Sequence, residues 1–188
     1  MIFFKGKKGL GIGQAFIFIV AALTFALIMI FGYKAINDFI SSGEDVEYVQ
    51  FKTRMEGSFN KLYTEYGSVR IEEFHPPVRH KQVCLVDVDY KEENAQEQID
   101  KLCLKDQIAC DVWQSALDDD YSYSNIEQNV FLKPSGDHPV KVYRMKLVDE
   151  TGEKVGFLCE DIFKGRFTFV LEGKGNYVEV NKYQQEYE

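Results

Sequence analysis

Four cysteines, three histidines and a few clustered carboxylates carry most of the chemistry that this chain's side chains offer. Cys84, Cys103, Cys110 and Cys159 include no CxxC pair, and their spacing matches no usual zinc cluster. Four cysteines allow three disulfide connectivities. The short gap between Cys103 and Cys110 favours closing that pair, worth about 2–3 kcal/mol in the chain-entropy picture, which leaves Cys84 with Cys159 in two strand-like runs, QVCLVDV and VGFLCEDIF. The alternative is four free buried thiols. A cysteine nucleophile would need an activating histidine beside it. His80 precedes Cys84 by four residues, on the same face of an extended segment but some 13 Å away, too far for a direct pair.

The remaining candidates read as solvated groups. His75 and His138 each precede a proline, which favours extended turns. With His80 they are expected to be surface turn histidines, since nothing in their spacing makes them converge on a metal. Asp118, Asp119 and Asp120 could offer oxygen ligands to calcium, but the loop lacks the alternating Asp/Asn pattern and glycine of an EF-hand, so a solvated acidic turn is expected. Asp87 and Asp89 alternate along a predicted strand and are expected to face solvent on one side. No phosphate loop, nucleophile elbow, dinucleotide fingerprint or HExxH is present, so no catalytic residue, cofactor or metal is assigned and the expectation is a non-enzyme. Tyr121, Tyr123, Tyr177, Tyr183 and Tyr187 could form a binding surface, the tail tyrosines being the better interface candidates.

The elements that must position these groups follow from periodicity. From Val46 to Tyr66 apolar residues recur every three to four positions: Tyr48, Phe51 or Val49, Met55, Phe59, Leu62 or Tyr63, and Tyr66. That is an amphipathic helix with Gly67 as its C-cap. Beyond Gly67 the period changes. Ser68–Phe74, Lys81–Tyr90, Val130–Lys133, Val140–Val148, Val155–Phe163, Arg166–Glu172 and Asn176–Val180 read as strands, and Lys91–Leu117 as short helices. In VCLVDVDY, Cys84, Val86, Val88 and Tyr90 share one face. Thr151-Gly152 and Gly173-Lys174-Gly175 read as hairpin turns.

Ahead of all this lies GLGIGQAFIFIVAALTFALIMIFGY, about 25 uncharged positions at residues 9–33, long enough to cross a bilayer core. Lys5, Lys7 and Lys8 precede it, while Asp38, Glu44, Asp45 and Glu47 follow. That asymmetry predicts a single-pass membrane protein with its N-terminus in the cytoplasm and an extracellular C-terminal domain, where disulfides persist. The apolar core is too long for a secretory signal, and no small-x-small site follows Phe31. Ala21, Ala22 and Ala26, with a GxxxG at Gly9 and Gly13, would let copies of this helix approach closely. Ser41-Ser42-Gly43 reads as the first break, although the span and the amphipathic helix could also form one long element. The net charge is −8. With a basic leader at the other end, the exported part is more acidic still, which argues against nucleic acid as a partner.

Lys7-Lys8-Gly9, followed by Leu10, Gly11-Ile12-Gly13 and an uninterrupted apolar helix, resembles the class III signal sequence of archaeal type IV pilin-like proteins and archaellins. The resemblance is limited to about the first 33 residues. It implies that a prepilin peptidase cuts between Gly9 and Leu10, with Lys7, Lys8, Gly9 and Leu10 as the processing signal. It also implies that apolar helices bundle as a homo-oligomer, with globular domains outside. Bacterial pilins usually carry Glu at the fifth mature position, where this chain has Gln14. A neutral amide costs less in hydrocarbon and can still hydrogen-bond a neighbouring helix, which makes Gln14 an assembly candidate.

The expected organisation is a basic leader at 1–9, a transmembrane helix at 10–33, an amphipathic continuation at 34–67 and an exported domain at 68–188. The expected fold is α+β and pilin-like. A long N-terminal helix packs on an antiparallel sheet, with a small helical insertion carrying Cys103 and Cys110. The expected role is a membrane-anchored, pilin-like subunit of a surface or envelope filament. The alternative is an anchored ectodomain that binds an envelope component or a protein and never polymerises.

Overall fold

The computed structural model describes residues 12–117, 123–136 and 138–183, without the side chains of 12–15 and 41–42. The chain divides into two compact units, Met1–Asp45 and Val46–Glu188. Helix α1, Ile12–Thr64, contributes to both. The backbone at Ser41, Ser42 and Gly43 is helical, so the expected break there does not occur. Ser and Gly lower helix propensity by under about 1 kcal/mol each, which is too little to end a helix without a proline.

The second unit is α+β. Its strands and helices are β1 (Val69–Phe74), β2 (Gln82–Val86), α2 (Ala95–Cys103), α3 (Gln107–Leu117), β3 (Val130–Lys133), β4 (Met145–Val148), β5 (Lys154–Val155), β6 (Phe157–Asp161), β7 (Phe167–Gly173) and β8 (Val178–Lys182). One sheet has the order β1-β7-β8-β4-β5 and a second the order β3-β2-β6. A single antiparallel sheet was expected. Instead there are two, and β4 pairs with β8 in parallel. Alternation specifies which face of a strand is buried but not which strand lies beside it, so it carries no signal for a parallel neighbour brought in by a long connection.

The amphipathic half of α1 buries Tyr48, Phe51, Met55, Phe59 and Leu62, spaced three or four apart. These join one hydrophobic cluster with Phe169 and Leu171 of β7, Val178 and Val180 of β8, and Val83 and Leu85 of β2. The alternatives left open by spacing resolve to Phe51 over Val49 and to Leu62 over Tyr63. Tyr66 is exposed, because the helix ends at Thr64. Gly67 follows at φ 76°, a conformation that glycine adopts without a Cβ penalty, and its N–H donates to the Gly173 carbonyl at 2.7 Å. Gly173 lies so close to the helix end that a Cβ there would overlap the Leu62 and Glu65 carbonyl oxygens.

A second cluster lies on the other face of β2. Cys84, Val86, Val88 and Tyr90 pack with Ile99 and Leu102 of α2 and with Cys110 and Trp113 of α3. β2 is therefore buried on both faces, its odd residues in the first cluster and its even residues in the second.

Candidate functional site

Two disulfides link elements of the second unit. Cys84 and Cys159 are register partners on β2 and β6, with Cα atoms 4.0 Å apart. Cys103 ends α2 and joins Cys110 in the first turns of α3. These are the two pairs that the spacing favours. No free thiol remains among the described residues, and no group of three His, Cys, Asp or Glu among them is placed to hold a metal ion.

The first unit carries a different kind of surface. Phe16, Ile17, Phe18, Leu23, Phe25 and Ile28 are all more than half exposed, and the exposed run of large apolar side chains continues to Ile40. This helix is long and apolar enough to cross a membrane, with a mean hydropathy of 2.5 over its most apolar window. Gln14 falls in the first turn of α1, where only the backbone is described. Lys7, Lys8, Gly9 and Leu10 lie outside the described residues, as do Asp118, Asp119, Asp120, Tyr121 and Tyr187.

The histidines divide. His75 is exposed and sits 3.1 Å from Glu73, and His138 is exposed too. His80, expected at the surface, is 1% exposed. Its Nδ1 donates to the Pro134 carbonyl at 2.7 Å, its Nε2 accepts from Arg79 Nε at 3.3 Å, and its ring lies 5.9 Å from that of Tyr48. The ring's polar atoms find partners there.

Asp87 is the second correction. It was expected to face solvent beside Asp89, but β2 ends at Val86 and Asp87 turns inward, 3% exposed. Its N–H donates to the Gly156 carbonyl at 2.8 Å and its Oδ1 accepts from the Asp89 N–H at 3.1 Å. Oδ2 lies 3.3 Å from Lys146 Nζ, an ion-pair distance without hydrogen-bond geometry, so this buried oxygen has no hydrogen bond among the described residues. Burial pushes the carboxyl up to about 6, and the Lys146 ammonium restrains the rise.

A tyrosine cluster lies on the same side of the second unit. The rings of Tyr63 and Tyr143 are 3.7 Å apart, and Tyr123 is 6.3 Å from Tyr143. Lys141 Nζ stands 4.5 Å from the Tyr123 ring centre and Arg144 5.6 Å, both within cation–π range. Tyr123 was a sequence candidate. Tyr143 was not, since it fell inside the expected strand Val140–Val148 as one aromatic without a pattern, and Tyr63 was read only as a possible core residue.

Beside α3 opens a cleft of about 470 Å³, lined on one side by Asp111, Val112 and Ser115 and on the other by residues 125–128 with Gly136, His138 and Pro139. A smaller hollow of about 110 Å³, lined in part by Ile108 and Asp106, shares Gln128, Gly136 and His138 with it. The cleft's size suits a side chain or a small ligand. None of the sequence candidates except His138 lines it, because its other walls are helix-surface and loop positions that carry no motif.

No protein-family profile, curated protein or solved structure matches the chain.

Proposed function

We propose that the protein is a membrane-anchored, pilin-like subunit of a surface or envelope filament, without enzymatic activity. In this reading Leu10–Tyr33 cross the cell membrane, the N-terminus is cytoplasmic, and the disulfide-closed α+β domain lies outside. Lys7, Lys8, Gly9 and Leu10 form the signal that a prepilin peptidase cuts, and Gln14 helps to register neighbouring helices. The observation that carries the reading is the contrast within α1. Its residues from 16 to 40 keep their large apolar side chains exposed, whereas its residues from 48 to 62 bury theirs in the domain core. Hydrocarbon or copies of the same helix would cover the first set. Two disulfides suit an oxidising exterior.

N-terminal sequencing of the membrane-extracted protein tests the processing step. A mature N-terminus at Leu10 is expected, and one at Met1 would remove the pilin-like reading in favour of an uncleaved anchor. That second reading, an anchored ectodomain binding a partner, draws support from the cleft beside α3. Crosslinking within the span separates the two: ladders of homo-oligomers favour assembly and a lone monomer band favours the anchor.

A further inference from the structure

The second unit carries two features of complementary chemistry. The first is a projection at the turn between β6 and β7. Phe163 and Arg166 close it with reciprocal backbone hydrogen bonds of 3.0 and 3.1 Å. Lys164 and Gly165 at its tip take φ of 51° and 75°. Phe163 is 68% exposed, and so is neighbouring Val78 at 71%, whose Cγ1 would lie 3.9 Å from a Cβ at Gly165. The Lys164 ammonium stands 5.1 Å from the Phe163 ring centre, and no described carboxylate lies within ion-pair distance of it. Arg166, by contrast, is paired with Glu73 at 3.2 Å. The projection is thus an exposed aromatic side chain carrying one unanswered positive charge.

The second feature is the cleft beside α3. Val112, Ile126 and Pro139 supply apolar walls, and Asp111 and Glu127 supply two carboxylates. Asp111 accepts a hydrogen bond from Gln107 at 2.8 Å, and no described Lys or Arg lies within ion-pair distance of either carboxylate. The cleft is wide enough for an aromatic ring with an ammonium at its rim. None of residues 162–166 lines it, so this copy's own projection does not occupy it.

We infer that the Phe163–Arg166 turn of one copy docks in the α3 cleft of a second copy, with Phe163 between Val112, Ile126 and Pro139 and Lys164 against Asp111 and Glu127. Projection and cleft are different surfaces of one chain, so the contact is heterologous. Each copy that docks still presents a free projection or a free cleft, and the contact repeats without closing unless its rotation forms a ring. The inference rests on the assembly reading and supplies it with a contact outside the membrane.

The test uses the full-length protein in its membrane, with the photo-crosslinker p-benzoylphenylalanine in place of Phe163, and a second sample with it in place of Phe25 in the span. After irradiation, crosslinked peptides are mapped by mass spectrometry, and the fluorescence of Trp113 reports an intact domain. The expected result is an intermolecular crosslink from position 163 to the segment 106–139. Lys164→Glu should cut its yield about fivefold, the upper range for an exposed charge pair. Mixing the probe-bearing Lys164→Glu copy with a Glu127→Lys copy should restore it. Crosslinks from position 163 that reach only lipid, other proteins or the same chain would overturn the docking. If position 25 still links copies in that case, assembly through the span stands without it. If neither position links copies, the assembly reading falls as well.

Discussion

The two halves of α1 share one backbone conformation and oppose each other in everything their side chains do. Phe25 is 64% exposed and Phe59 is fully buried, though both are phenylalanines in mid-helix. In the first half apolar residues occupy every face. In the second they occupy one stripe, with charged residues such as Lys52, Glu56 and Lys61 between them. The lesson is that helix formation says little here, while the distribution of apolar residues around the axis names the solvent. A stripe asks for a sheet, and an all-round apolar surface asks for lipid or for other copies.

Several measurements test this contrast. The largest effect belongs to the bond between β2 and β6. Replacing Cys84 and Cys159 by alanine should cost about 4–5 kcal/mol in the chain-entropy picture, because the bond closes a loop with a sequence separation of 75. Cys103 and Cys110, separated by 7, should cost only about 2–3 kcal/mol. Urea unfolding of the two double variants, followed by Trp113 fluorescence, ranks them. Next, Phe59→Ala should destabilise the domain by about 3–5 kcal/mol, whereas Phe25→Ala should leave its unfolding within about 0.5 kcal/mol of the parent. Equal losses would mean that the apolar half packs on the domain after all.

Asp87 gives a pH-dependent effect of about 3 kcal/mol, taking 1.36 kcal/mol per unit for a rise to about 6. Its carboxyl titrates higher folded than unfolded, so the folded state holds the proton more tightly. The resulting stability is present at low pH and is lost as pH rises from about 4 through 6. Relative to the parent, Asp87→Asn should therefore gain stability by up to that amount between pH 4 and pH 7. The ion pair to Lys146, a lysine that is a third exposed, limits the gain, and a flat difference would mean that Asp87 is solvated. The smallest effect is at the helix end. Gly173→Ala should cost about 1–3 kcal/mol through overlap with the Leu62 and Glu65 carbonyls, and hydrogen exchange should show the loss concentrated at residues 62–67.

The pattern of the helices and strands was legible because periodicity is strong here. The stripe from Tyr48 to Leu62 and the alternation from Cys84 to Tyr90 both specify buried faces, and both cysteine pairs follow from where these elements lie. Three things were not legible. The parallel pairing of β4 with β8 depends on a long connection rather than on local pattern. The burial of Asp87 depends on both faces of the β2 segment being covered, which strand alternation does not mark. The Tyr63–Tyr143–Tyr123 cluster joins segments far apart in sequence, and the cleft beside α3 lies between a helix and the loops that follow it. Their residues individually look like ordinary helix-surface and loop positions.

The contrast within α1 is tested most directly by quenching from lipid. Trp113 is the chain's single tryptophan and is fully buried in the second unit's core. In bilayers with brominated acyl chains, the parent protein's emission should be unquenched. The additional emission of a Phe25→Trp variant should be strongly quenched. Unquenched emission from position 25, in a protein whose photo-crosslinker at the same position links no copies, would contradict the account, since neither lipid tails nor a neighbouring helix would then cover the apolar half of α1.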